Sequence, residues 1–287
     1  MKMGPVRNER RREYDMAENE IGTLADTTEV ISKDRVAVTP PRAEARAAQP
    51  VAAPPSVSSA IDAAPHAHAP IGLRDVRNND KVRAYIDKAN EQMAVIGYSE
   101  HGLRHAALVA AIARNICLEL DLDQRTAELA AIAGYLHDIG NCIHRIYHPQ
   151  IGATMAFQLL DAMGMPAVEI AWIIGAIGNH EEPEGVPINP MTAAVIIADK
   201  SDVHFTRVQN PDPSTYDIHD RVNHAVQKSR LLIDRKEMTL TLDLITDPTE
   251  ATVMEYFEIF VVRMIMCRKA ATVLGCKFRL IINGVEL

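Results

Sequence analysis

The sequence predicts a mainly α-helical protein with a small C-terminal strand–helix–strand (α+β) appendage. Two observations predict this class. Apolar residues recur at helical spacing from residue 79 to about residue 230, whereas the alternation typical of strands is found only near the C-terminus. The chain has 287 residues, enough for one large domain or two small ones.

Residues 1–75 are predicted to be a disordered arm rich in alanine and proline. Between Val36 and Pro70 the chain has 12 alanines and 7 of its 16 prolines. Proline interrupts helices and strands, and alanine buries little surface, so this segment has little with which to form a core. The folded part is therefore predicted to begin near residue 76.

Residues 76–233 are predicted to form a helical domain. In the first helix, Val82, Ile86 and Met93 lie on one apolar face, and Gly97 follows its end. In the second, which covers about residues 100–120, His101 and His105 share a stripe with apolar residues one and two turns later. Further helices are predicted at 124–137, from about 148, at 167–180, at 192–208 and at 219–230.

Residues 234–287 are predicted to form the appendage. Residues 238–244 and 278–282 alternate between apolar and polar side chains, which indicates two strands. Between them, Asp247 and Pro248 suit the start of a long helix, and Gly275 suits its end. Because this helix is apolar on more than one face, we expect the strands to cover one side and a second subunit of a homodimer to cover another.

The overall composition excludes several classes of protein. The net charge of -8 and the single tryptophan argue against a general nucleic-acid-binding protein. The chain lacks an uninterrupted apolar stretch of ~18 residues, so no membrane span is expected. Its four cysteines form no CxxC pair and the N-terminus lacks the apolar core of a secretory signal, which favours a cytoplasmic setting.

Residues able to bind metal occur in several of the predicted helices. A single buried histidine is more often a hydrogen-bonded core residue, but a set of imidazoles and carboxylates suits Fe, Mn or Zn. Helical bundles commonly build dinuclear sites from such side chains on facing helices. The set consists of His105, His137, Asp138, His148, His180 and Asp199.

The sequence Gly134-Tyr-Leu-His-Asp-Ile-Gly140 resembles the signature of the HD-domain metal-dependent phosphohydrolase superfamily. Four further stretches resemble family motifs and occur in the expected order. Two of them, HPQIGA and NHEE, are similar to motifs of the HD-GYP branch, although the GYP tripeptide itself is absent. The four stretches lie at residues 101–105, 148–153, 179–182 and 198–202.

This resemblance implies a helical bundle of the HD type around two divalent metal ions, with Fe or Mn favoured over Zn or Mg. It implies that His105, His137, Asp138 and Asp199 hold one ion. Asp138, the catalytic residue of the set, would bridge to a second ion held also by His148 and His180. A metal-bridged hydroxide would then attack the phosphorus atom, with both ions stabilising the oxygens of the reaction.

The sequence departs from the HD-GYP pattern at two positions. Asn141 stands where that branch often has a lysine after HDIG, and Asn179 replaces the first histidine of HHE. Specificity for a cyclic dinucleotide is therefore not expected. The candidate substrate-binding residues are His101, Arg145 and Lys200, which lie beside the motifs. His101 also stands where some HD-GYP proteins have a glutamate that helps to bind a third metal, so a role as an extra ligand or as a residue that supports the ligands stays open.

The function favoured by these observations is hydrolysis of a phosphate ester of a small molecule, such as a nucleotide or a related metabolite, by a phosphomonoesterase or phosphodiesterase. Two alternatives remain open at this stage. One is an HD-fold di-iron oxygenase of the inositol oxygenase type, whose ligand set is very similar. The other is a non-catalytic regulatory module that binds a nucleotide or a metal.

Overall fold

The computed structural model describes residues 70–287, which form a helical bundle followed by a small sheet. Most of the predicted arm lies outside the described residues. For residues 73–75 the prediction is wrong, because Leu73–Arg77 forms a short helix, α1, with Gly72 at its N-cap. The N–H of Leu73 donates a hydrogen bond to Glu128, which ties this helix to the bundle.

The bundle confirms the predicted mainly α-helical fold. Its helices are α2 (Asp80–Val95), α3 (Leu103–Glu119), α4 (Gln124–Leu136), α5 (His148–Ala162), α6 (Ala167–Gly178) and α7 (Pro190–Lys200). Helix α3 packs against α4 and α7, α5 packs against α6, and the apolar faces of these helices form one large core. Asn79, Asp123 and Asn189 cap the N-termini of three of the helices with their side chains, as expected of these residue types.

Two predicted helices are too long. The helix expected at 192–208 ends at Lys200, and a short 3₁₀ turn at Phe205–Arg207 follows it. The helix expected at 219–230 is α8 (Ile218–Ala225), and the next residues form a strand, β1 (Val226–Asp234). Residues 229, 231 and 233 of this strand are buried in alternation. The sequence does not show this alternation, because Leu231, Leu232 and Ile233 are three apolar residues in a row.

The C-terminal sheet has four strands, which lie side by side in chain order. Strands β1 and β2 (Thr239–Thr246) form an antiparallel hairpin, whereas β3 (Lys277–Ile282) lies parallel to β2 and pairs with the two-residue β4 (Val285–Glu286). The two predicted strands are thus β2 and β3. The predicted boundary between the helical domain and the appendage, at residue 234, stays a prediction, although the sheet begins at Val226. The crossover between them is α9 (Val253–Val273), which begins later than predicted because Thr252 and Glu255 form a capping box.

Helix α9 joins the sheet to the bundle. Tyr256 and Phe260 pack in a core with the sheet, whereas Met266, Ala270 and Ala271 pack in the core of the bundle. The bundle therefore covers one of the faces for which the sequence suggested a second subunit. The helix still exposes other apolar side chains, and the homodimer stays a prediction.

None of the helices in residues 70–287 combines the length and the apolarity that crossing a membrane requires.

Gly140 allows the turn that follows α4 to lie directly against α5. A Cβ atom at this position would be 2.1 Å from the carbonyl oxygen of His148 and 2.6 Å from the nitrogen of Gly152. Both neighbours are backbone atoms of a helix, which cannot move aside as a flexible side chain can. The missing Cβ thus brings the first residue of α5 close to Asp138.

We predict that Gly140→Ala lowers the free energy of unfolding by about 1–3 kcal/mol or more, because its Cβ would overlap the backbone of α5. Thermal or denaturant unfolding measures this effect. Gly175→Ala is the matched control, since the added Cβ would make only an ordinary contact, 3.4 Å from Ile188, inside a helix. Equal stabilities for the two variants would contradict the importance of this approach.

Candidate metal centre

The structure brings together the six residues that the sequence indicates as metal ligands. His105 lies in the first turn of α3, His137 and Asp138 directly follow α4, and His148 is the first residue of α5. His180 follows α6, and Asp199 is in the last turn of α7. The four imidazoles are buried, and the side chain of Asp199 is only 12% exposed. Three subsets offer ligand atoms that all lie within 4.8 Å of one another: His105, His137 and Asp138; His137, His180 and Asp199; and Asp138, His148 and His180.

The Nδ1 atom of each imidazole faces a group that can only accept a hydrogen bond. Nδ1 of His137, His148 and His180 each lies 2.7 Å from the backbone carbonyl oxygen three residues earlier. Nδ1 of His105 lies 2.7 Å from Oδ2 of Asp202. The proton is therefore assigned to Nδ1 of His137 and His180, which leaves their Nε2 lone pairs directed into the cluster. In His105 and His148 the acceptors favour the same tautomer, but a guanidinium nitrogen of Arg207 or Arg145 also lies within hydrogen-bond distance of Nδ1.

The Nε2 atoms face one another in two pairs. They are 3.2 Å apart between His105 and His137, and 3.1 Å apart between His148 and His180. Two lone pairs at this distance repel each other unless a proton or a cation lies between them. The donor set thus fits a metal ion better than it fits a hydrogen-bonded core.

Asp138 lies between the two pairs of histidines. Its Oδ2 is 3.2 Å from Nε2 of His137 and 3.5 Å from Nε2 of His105. Its Oδ1 is 3.2 Å from Nε2 of His148 and 3.8 Å from Nε2 of His180, and it accepts a hydrogen bond from Asn141. One carboxylate therefore lies close to both pairs of histidines, with a different oxygen next to each pair.

Asp199 supplies a second carboxylate to the first pair. Its Oδ1 is 3.4 Å from Nε2 of His105 and 3.6 Å from Nε2 of His137, and its Oδ2 is 2.7 Å from the ammonium of Lys200. Burial would raise the pKa of Asp199, but Lys200 and the two histidines hold it well below the ordinary value. The carboxylate is therefore ionised, as a metal ligand must be.

The pKa values of the histidines differ according to their nearest charges. Burial acts to lower the pKa of His137, but Asp138 and the hydrogen bonds to Asp138 and Asp199 raise it to about 10. For His180, burial dominates and the pKa is lowered. At neutral pH without metal, His137 thus carries a second proton, on Nε2, while His180 offers a free lone pair.

Two groups of charged side chains support the centre from outside. Asp202, which holds His105, also accepts hydrogen bonds from Arg104 at 2.9 Å and from Arg207 at 3.0 Å. Lys200, which holds Asp199, lies within 2.8 Å of Glu181 and 2.9 Å of Glu182. These contacts pair buried charges and orient the ligands that they touch.

A cavity of about 310 Å³ lies beside the centre. His101 and Arg145, two of the three predicted substrate-binding residues, line it, together with Tyr98 and Phe260. His101 directs Nε2 to within 3.9 Å of Asp138, because its Nδ1 lies 2.5 Å from the carbonyl oxygen of Ser99. None of the six candidate ligands lines the cavity, and His101 lies between the cavity and Asp138.

Lys200 does not line the cavity. Its side chain is only 2% exposed and lies among three carboxylates. Its position contradicts the predicted contact with a substrate and indicates a role in holding Asp199.

Sequence reasoning gave little or no weight to two arginines that line the cavity, Arg207 and Arg263. Arg207 lies in the 3₁₀ turn that was predicted to be helix, and Arg263 lies on α9, far from every motif. The one available signal was weak: Arg263 is one of only two charged residues in the apolar segment 257–266.

Comparison with known proteins agrees with this geometry. Residues 102–204 match the model of the HD domain family. The match supports an HD domain in this part of the chain, which contains most of the helical bundle. All six candidate ligands lie within the matched HD domain, whereas Arg207 and Arg263 lie beyond it. The finer resemblance to the HD-GYP branch stays a prediction.

Among solved structures, the chain is similar to a predicted HD superfamily hydrolase from an uncultured Thermotogales bacterium. The two are 22% identical, the match covers 52% of this chain and 75% of the other, and the TM-score is 0.35. A comparison with curated proteins finds no match.

We predict that binding of a divalent cation releases at least one proton at pH 7, because His137, whose pKa is about 10, must lose its Nε2 proton to bind a metal. Calorimetric titration with Mn²⁺ in buffers of different ionisation enthalpy measures the number of protons. A buffer-independent enthalpy would contradict the raised pKa.

The same shift makes the stability of the metal-free protein depend on pH. A raised pKa contributes stability that is fully present below the ordinary value of 6.5 and is lost as the pH rises through about 10. The free energy of unfolding of the metal-free protein should therefore contain a contribution that falls over this interval and is absent in His137→Gln. Denaturant titrations across the interval test this, and parallel profiles for the two proteins would contradict it.

Proposed function

We propose that this HD-domain protein is a metal-dependent phosphohydrolase that hydrolyses a phosphate ester of a small molecule at a dinuclear centre. HD proteins are generally metal-dependent hydrolases. The proposal rests on one arrangement. Two pairs of histidine Nε2 atoms lie beside a single buried carboxylate, Asp138, and each pair lies next to a different oxygen of that carboxylate.

The proposed ligands divide into two sets that share Asp138. One set adds His105, His137 and Asp199, and the other adds His148 and His180. Imidazole and carboxylate ligands of this kind suit Fe, Mn or Zn, and Mg less well. Because the two aspartates are the only charged ligands proposed, two divalent cations would leave the centre with a net positive charge that attracts a phosphate.

Divalent cations held there would act as Lewis acids on the phosphoryl group and lower the pKa of a coordinated water molecule. The protein's own residues would orient the reactants. Arg145 and Arg207 line the cavity next to the centre and can donate hydrogen bonds to phosphate oxygens. Burial keeps the pKa of His101 well below its ordinary value, so the ring is neutral at the cavity wall, where its Nε2 accepts a hydrogen bond from Arg207 at 3.4 Å.

No side-chain nucleophile is needed for this reaction, and the cysteine near the centre is unsuited to the role. Burial raises the pKa of Cys267 to about 12, so that it remains a thiol at neutral pH. Direct attack by water is the route that the cluster favours.

The cavity favours a small anionic substrate. A volume of about 310 Å³ is at the lower end of the range for small-molecule sites, which suits a nucleotide or a similar metabolite better than a dinucleotide. Arg145 and Arg207, which lie nearest the centre, favour a phosphorylated substrate over the neutral polyol that an oxygenase of the inositol oxygenase type would use, although three aspartates line the same cavity.

We also propose that a homodimer forms through the apolar side chains that α9 exposes. Met254, Val261 and Ile265 are between 39% and 75% exposed on this helix. A partner would remove apolar surface from water there.

We predict that His137→Ala lowers the metal content of the purified protein and reduces hydrolysis across a panel of phosphate esters by more than about 100-fold, the upper end of the cost of losing an outer hydrogen-bond partner. Metal content is measured by mass spectrometry and activity by phosphate release under anaerobic conditions with Mn²⁺. The matched control is His144→Ala, an exposed histidine outside the cluster, which should retain both properties.

Other outcomes of this experiment would contradict the proposal. Oxygen consumption that depends on iron, without phosphate release, would establish the oxygenase alternative. Tight binding of a nucleotide without turnover would favour the regulatory module. If His137→Ala kept its metal and its activity, the histidines would be packing residues rather than ligands.

A further inference from the structure

Arg263 brings the C-terminal unit into the cavity beside the metal centre. It lies on α9, outside the matched HD domain, and lines the same cavity as His101 and Arg145. Its side chain is 30% exposed, in contrast to the buried Lys200. Arg263 can therefore meet a molecule that enters the cavity.

The guanidinium of Arg263 is oriented by its neighbours, but only one of its nitrogens donates a hydrogen bond to a described residue. Its Nε donates a hydrogen bond to Glu182 at 3.0 Å, and its plane lies over the ring of Phe260 with 4.9 Å to the ring centroid. Among residues 70–287, its two Nη groups have no hydrogen-bond partner, whereas both Nη groups of Arg145 contact Glu181 or the ring of His148. An oriented guanidinium with two free donors is suited to bidentate binding of a carboxylate or a phosphate.

Arg263 lies farther from the ligands than Arg145 does. Arg145 contacts His148 directly, but Arg263 is linked to Asp199 only through Glu182 and Lys200. A phosphoryl group at the metal centre would thus lie beside Arg145, while Arg263 would meet a more distant part of the same substrate.

We propose that Arg263 binds a second anionic group of the substrate, so that the enzyme selects phosphate esters whose organic part carries a carboxylate or another phosphate. This inference rests on the proposed phosphohydrolase function. It assigns substrate selection to a residue of α9 rather than to the HD domain.

Equilibrium binding of matched phosphonates to the Mn²⁺-loaded full chain tests the proposal. Each ω-carboxyalkylphosphonate with two, three or four methylene groups is paired with the alkylphosphonate that has a methyl group in place of the carboxylate. For at least one chain length, the carboxylate should improve binding by about tenfold or more, as expected for one charge-assisted bidentate contact. An alkane bisphosphonate of the same length shows whether a second phosphate is preferred to a carboxylate.

The variant Arg263→Gln should abolish this preference while changing the affinity for the alkylphosphonate by less than about threefold. Arg263→Lys should keep part of the preference, because it retains the charge but not the bidentate donors. The matched control is Arg268→Gln, an exposed position on the same helix, which should leave all affinities unchanged.

Three results would overturn the inference, and they differ from a failure of the proposed function. A wild-type protein that binds both members of every pair equally has no second anion site. A variant Arg263→Gln that keeps the preference shows that another residue provides it. Equal weakening of both ligands, with loss of bound Mn²⁺, shows a purely structural role. If the wild-type chain binds neither Mn²⁺ nor any phosphonate, the proposed function itself fails.

Discussion

The geometry of the metal centre depends on short hydrogen bonds from imidazoles to the backbone at helix ends. Nδ1 of His137, His148 and His180 each lies 2.7 Å from the carbonyl oxygen three residues earlier, so the same local contact orients all three rings. These carbonyls lie in or beside helices, whose positions are set by the buried core. The centre is thereby as rigid as the bundle, as a preformed ligand set requires.

The charges around the centre explain why so many ionised groups can be buried together. Six carboxylates in the cluster and its support face five cationic side chains, and each cation contacts at least one carboxylate. Without metal, the proton on His137 brings the set close to neutral, so the arginines alone give the cavity little attraction for an anion. Two divalent cations, which would displace that proton, would make the set positive. Affinity for a phosphate would then depend on the metal, and the arginines would determine where each anionic group lies.

The sequence predicted the helical bundle and the six candidate ligands, because each lies in a short segment whose residues carry their own signal. His137, for example, is marked by the buried helix before it and by Asp138 and Gly140 after it. Arg207 and Arg263 carry no such signal. They reach the cavity only because the chain turns back after Lys200 and because α9 packs between the bundle and the sheet. Strand β1 was predicted to be helix for a related reason. Its own residues do not exclude a helix, and it forms a strand because it pairs with β2.

Helix α9 is too well packed in the bundle to be a detachable addition to the HD domain. Met266 and Ala270, buried in the bundle core, lie on the same helix as Arg263. Complete burial of a side chain such as Met266 contributes about 1.5–3 kcal/mol, a substantial share of the marginal stability of a domain. The packing that stabilises the fold thus also fixes the position of Arg263 relative to the ligands. On the proposed function, a change of substrate preference during evolution could therefore begin with single substitutions on the cavity side of α9, while the candidate metal ligands of the bundle remained the same.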